Sequence, residues 1–139
     1  MSQRKLPNIL CFLSIAFILN FIWELLHYSL YIDLTNIPKF LHIIIASLTD
    51  MAIIAGIFLI ISLKNKNINW IKKPKFSDYF IIVLLTSITA VLIELNALAI
   101  NKWQYTSTMP TLLGIGISPL LQLPVTAILT LMIIRFLLK

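Results

Sequence analysis

The stretch NILCFLSIAFILNFIWELLHYSLYI, residues 8–32, decides the fold, because it is a long apolar run that carries a single carboxylate. It exceeds the roughly 20 residues that a helix needs to cross a hydrocarbon layer about 30 Å thick. Three further runs, 40–63, 79–101 and 119–138, meet the same criterion. The whole chain of 139 residues is 60% hydrophobic and only 12% charged. A single small domain has too little interior to hide that much apolar surface from water. The runs lack the two-residue alternation of strands, and lipid cannot satisfy an open strand edge. The expected class is therefore all-α: one transmembrane domain over 1–139, an integral membrane antiparallel four-helix bundle.

Arg4 and Lys5 precede the first run, and Ser14, Ile15 and Ala16 form a small-x-small trio of the kind cleaved in secretory signals. The run continues well past Ala16, longer than the roughly 7–15-residue core of a signal, so an uncleaved first helix is expected. Cys11 lies inside that helix and reads as an apolar filler. The net charge of +6 would suggest nucleic acid for a soluble protein, but here the cations sort by side, and no nucleic-acid partner is expected. With the N-terminus inside, Arg4, Lys5, Lys64, Lys66, Lys72, Lys73, Lys75, Arg135 and Lys139 fall on the inner face, and only Lys39 and Lys102 fall outside. That asymmetry reads as N-in, C-in with four spans, in a membrane of the bacterial cytoplasmic type. The lysines after the second run read as a topology anchor, and Trp70 beside them as an aromatic-belt residue.

Residues 102–118 connect the last two runs, yet they are apolar and aromatic where a solvated tether would be polar. Pro110 restricts the backbone and Gly114 and Gly116 let it turn. The segment is expected to fold back over the mouth of the bundle as a lid or re-entrant element.

Three carboxylates lie within the spans, Glu24, Asp50 and Glu94, and no lysine or arginine lies in those spans to pair with them. Each ionisable group at bilayer depth costs at least about 2.5–3.5 kcal/mol, so such groups mark function. At 1.5 Å per residue they fall roughly 12, 15 and 10 Å below the outer ends of their helices, and Gln122 reaches the same level on the fourth. Asn20, Glu24, His27 and Tyr31 recur at helical spacing as one stripe. Ser87, Ala90, Glu94 and Asn101 make a second, and Ser47 stands one turn from Asp50. These faces are expected to line a polar pocket in the outer half. Two readings of the carboxylates stand: a buried hydrogen-bonded network that sets helix register, or groups that share protons and act as general acids and bases. Glu24 and His27 have the Glu-x-x-His spacing of carboxylate metal sites, but those bundles use two copies. No metal and no cofactor is expected. His42 reads as interfacial.

The run Glu94-Leu-Asn-Ala-Leu-Ala-Ile-Asn-Lys-Trp103-Gln-Tyr105, followed by Gly114-Ile-Gly116-Ile-Ser-Pro119-Leu-Leu-Gln122, resembles the lycopene cyclase domain of heterodimeric and fused carotenoid cyclases over about 30 residues. Asn20-Phe-Ile-Trp23-Glu24 is similar to an element of integral membrane terpene cyclases. The chain as a whole resembles a group of small bacterial four-span membrane proteins of unassigned function. The sequence departs from the cyclase pattern after Pro119, where Leu121 and Gln122 stand in place of two glutamates. The resemblance implies acid-initiated chemistry on an isoprenoid, with aromatic faces stabilising a carbocation. The functional expectation is a small membrane enzyme of isoprenoid or other lipid-like substrates, with Glu24, Asp50 and Glu94 catalytic. Asn20, Trp23, His27, Trp103, Tyr105 and Gln122 would bind the substrate. The alternative is a proton- or cation-coupled carrier, or a ligand-binding subunit, working as a homo-oligomer.

Overall fold

The computed structural model describes residues 5–138, so the expected inner-face cations Arg4 and Lys139, and the side chain of Lys5, lie outside what is described. Among the described residues, four helices are long and apolar enough to cross a membrane: α1 Lys5–His27, α2 Lys39–Lys64, α3 Phe76–Ala99 and α4 Ile117–Leu137. Their outward faces agree with that reading. Leu26, Leu63, Phe80, Leu92 and Phe136 are all more than half exposed, an apolar exterior that water would not tolerate on one monomer.

The helices pack as α1 on α2, α3 on α4 and α1 on α4, with a looser α2–α3 contact. Phe12, Ile54, Ile57, Phe58, Ile61, Ile82, Leu131 and Ile134 fill the half of the bundle that holds the α2–α3 connection. Hydroxyls inside the helices are satisfied locally. Ser47, Thr86, Thr126 and Thr130 each donate to the carbonyl four residues back, at 2.7–2.8 Å, which lets a polar side chain sit in apolar surroundings.

Two boundaries differ from the sequence reading. Helix one stops at His27, not at residue 32; a 3-10 turn, Tyr28–Leu30, leads into strand β1, Tyr31–Asp33. Helix three begins at Phe76, which brings Asp78 into its first turn, fully buried. There Asp78 accepts from the Lys75 backbone N–H at 2.9 Å and from Lys64 Nζ at 2.8 Å, so from the third helical position it satisfies the amide of the N-cap residue and pairs a lysine read as a plain topology anchor. Trp70 differs too. It is 3% exposed and donates to Ser62 Oγ at 2.9 Å, packed on Phe58. An indole whose N–H is bonded that deep belongs to the core, not to an interfacial belt.

The segment 102–118 is ordered as two short ribbons. Strand β2, Trp103–Tyr105, pairs antiparallel with β1 in the register Tyr31 with Tyr105 and Asp33 with Trp103. Strands β3, Thr111–Leu112, and β4, Ile115–Gly116, form a hairpin turned by Leu113 (φ 52) and Gly114 (φ 82). Positive φ at both turn positions matches the twist of a two-residue hairpin. Gly116 then passes so close to Met109 Sδ and Pro119 Cδ that a Cβ there would lie 3.1 Å from each.

Candidate functional site

Gln122 organises the polar layer. From α4 its Nε2 donates at 2.8 Å to Glu24 Oε1 on α1 and at 2.8 Å to Asp50 Oδ2 on α2. An amide nitrogen has two hydrogens, and these two short contacts use both. The two carboxylate oxygens can be no farther apart than twice that distance. Behind them Asn20, fully buried, donates to the Ala16 carbonyl at 2.8 Å and holds its Oδ1 3.1 Å from Thr126 Oγ1.

Glu94, on α3 and 4% exposed, is held separately. Tyr105 donates to its Oε2 at 2.6 Å and Trp103 Nε1 at 3.3 Å. Burial first, then the bond to Glu94, pushes the Tyr105 phenol above its ordinary range, so it stays protonated and donates. Tyr31 packs edge-on or tilted against His27, Trp103 and Tyr105, with ring centroids 5.2–5.8 Å away. Burial, and next the neighbouring Glu94, raise its phenol as well.

These groups surround a cavity of about 180 Å³ whose wall carries all three carboxylates together with His27, Tyr31, Trp103 and Gln122. Aliphatic Ile37, Ile45, Ala46 and Ile93 complete it. Asn20, Trp23 and Tyr105 stand one shell behind this wall: Asn20 against Gln122 and Thr126, Tyr105 against Glu94, and Trp23 with its indole N–H on Ser118 Oγ at 3.2 Å. The two expected helix stripes come apart in part. Tyr31 reaches the cavity from β1 instead of from α1, Ser87 lines a separate apolar groove between α3 and α4, and Asn101 sits beyond α3 at φ 53.

Asp33, also on the cavity wall, is a carboxylate that the sequence reading passed over, as it did Asp78. Its oxygens accept from Thr35 N and Oγ1 at 2.9 and 2.7 Å and from Tyr28 OH at 2.9 Å, and His42 Nδ1 lies 2.6 Å away. Burial alone would raise its pKa, but these bonds outweigh it and hold the carboxyl well below its ordinary value. A carboxylate with a depressed folded pKa stabilises the fold above its unfolded value and loses that contribution as pH falls below about 4. The thermal-stability gap between wild type and Asp33→Asn is therefore expected to narrow as pH drops from about 5 to 3; a gap unchanged over that range would show that the Asp33 cluster does not hold the ribbon in its charged form.

Ser118, Thr126 and Tyr28 are the other polar partners absent from the sequence reading. Thr126 had a signal, since it lies four residues after Gln122 on the same face of α4. Ser118 had none, because its partners are on α1.

Among the described residues, no group of three His, Cys, Asp or Glu side chains is placed to hold a metal ion. No protein family, curated protein or solved structure matches this chain.

Proposed function

We propose that this is an integral membrane enzyme of the cytoplasmic-membrane type, N-in and C-in with antiparallel helices, that performs acid–base chemistry of the cyclisation or isomerisation kind on an isoprenoid or lipid-like substrate. One observation carries the reading: three carboxylates from three helices converge on one cavity with aromatic and aliphatic walls, and no lysine or arginine among the described residues pairs with any of them. Ser, Thr, Asn or Gln would serve a purely structural network at lower desolvation cost.

The chemistry balances without a co-reactant. A protonated carboxyl of the Glu24–Asp50 pair adds a proton to an alkene, and the rings of Tyr31 and Trp103 face the resulting cation. Glu94, oriented by Tyr105 and Trp103, removes a proton from an adjacent carbon, so the number of protons bound returns to its starting value. The cavity is smaller than the roughly 300–1,000 Å³ that encloses a whole drug-sized ligand. Only the reacting end of a chain enters, and the remainder stays in lipid. In this reading the ribbon of β1 and β2 with the hairpin of β3 and β4 is the lid, with Trp103 and Lys102 on its inner side. The partial resemblance to carotenoid and terpene cyclases supports the same class, and Gln122 takes the place of one missing acid by binding two others.

The test is mass spectrometry of lipids that co-purify with wild type and with Glu94→Gln, both shown by thermal unfolding to be folded. The expected result is an isoprenoid or related lipid retained by the variant and found transformed with the wild type. If neither protein carries a specific lipid, the enzyme reading falls and proton- or cation-coupled transport by an oligomer takes its place.

A further inference from the structure

From the hydrogen bonds between α1 and the start of α4, we infer that Ser118 is a positioning residue that, together with Trp23, fixes the tautomer of His27 and so the orientation of the hydrogen bonds on Glu24. Trp23 Nε1 can only donate, and it lies 3.2 Å from Ser118 Oγ. Ser118 therefore accepts there and keeps its own hydrogen to give. Among the described residues the one other hydrogen-bond partner of Ser118 Oγ is His27 Nδ1, at 2.8 Å. A ring nitrogen that accepts carries no hydrogen, which places the imidazole hydrogen on Nε2, 3.2 Å from Glu24 Oε2.

The consequence runs further along the layer. Glu24 receives an N–H on each oxygen, from His27 on Oε2 and from Gln122 on Oε1, and the second Gln122 hydrogen goes to Asp50. One donor-only indole thus orders the hydrogen bonds of five further side chains on three helices. Ser118 is absent from the cavity wall while His27 and Glu24 are on it. It acts on the site through His27 and does not meet substrate, which sets it apart from a serine nucleophile.

This inference deepens the acid–base reading of the same site, but its test uses no substrate, so the two can fail separately. The chain has two histidines, which makes imidazole ¹⁵N-labelled protein in lipid nanodiscs directly assignable with a His42→Gln variant. Wild type is expected to show His27 as a single Nε2–H tautomer. Ser118→Ala should convert that signal to a mixture of tautomers, Ser118→Thr should restore it, and Trp23→Phe should broaden the preference in the same direction as Ser118→Ala. The His42 signals report whether each variant is folded. An Nδ1–H tautomer in the wild type overturns the inference even if no variant folds. So does a His27 pattern unchanged in a folded Ser118→Ala.

Discussion

Gln122→Leu is expected to lower the stability of the folded protein by about 3–5 kcal/mol. Leucine keeps the size of the side chain and suits the helix, so the loss comes from chemistry. The Gln122 amide places hydrogens on Glu24 and Asp50 at 2.8 Å each. Hydrogen bonds to charged or partly charged groups contribute roughly 1.5–3 kcal/mol apiece, and two disappear together. The oxygens they separated are then left close to one another, without a donor, at membrane depth. Thermal or denaturant unfolding in nanodiscs measures the change, and a leucine variant within about 1 kcal/mol of wild type would mean that water replaces the amide at no cost. Asp50→Asn in the Gln122→Leu background should recover part of the loss, because it removes one of the two unsupported carboxyls.

The second large effect is on chemistry. Glu94→Gln is expected to lower turnover by about 10²–10⁴-fold on the substrate that lipid profiling identifies, while leaving stability close to wild type. The separation of these outcomes follows from the geometry. Tyr105 and Trp103 both donate to one oxygen of Glu94, Oε2, and a glutamine carbonyl accepts the same two bonds. What the amide cannot do is take up a proton. A variant that unfolds would instead assign Glu94 to the architecture, and one that stays folded with full turnover would remove it from the reaction. The comparison is read as kcat and KM separately, since loss of a proton acceptor lowers kcat with little change in substrate binding.

Much of the fold could be read directly from the residues, for reasons that also explain the misreadings. Hydropathy reports where a chain meets lipid, and four long apolar runs became four helices. It does not report backbone conformation. Tyr28 to Ile32 is as apolar and aromatic as the helix before it, so nothing local ends α1; what ends it is the pairing of Tyr31–Asp33 with residues some seventy positions later. Helix three starts at Phe76, three residues before the apolar run, because Pro74 and an aspartate at the third helical position mark a start that hydropathy does not report. For the site, the convergence of Glu24, Asp50, Glu94 and Gln122 was legible from charge and depth alone. Its hydrogen-bond connectivity was not, because Ser118 meets His27 only through the register of α1 against α4. Trp70 shows the same limit at the other end: an aromatic residue among lysines resembles a belt until its N–H is found on Ser62.

The ribbon also sets an order of assembly. Tyr31 and Tyr105 are neighbours in space, yet α2 and α3 lie between them in the chain. Each helix can form within its own segment, but closing a loop of that length must wait until the intervening helices are placed. The ribbon is three residues long on each side, and it brings Tyr31 against Trp103 and Tyr105, which already follow Glu94 closely in the chain. The aromatic side of the pocket is therefore the last part of the molecule to be made and the first to be lost, so heating should free Tyr31 and Trp103 while the helical content persists.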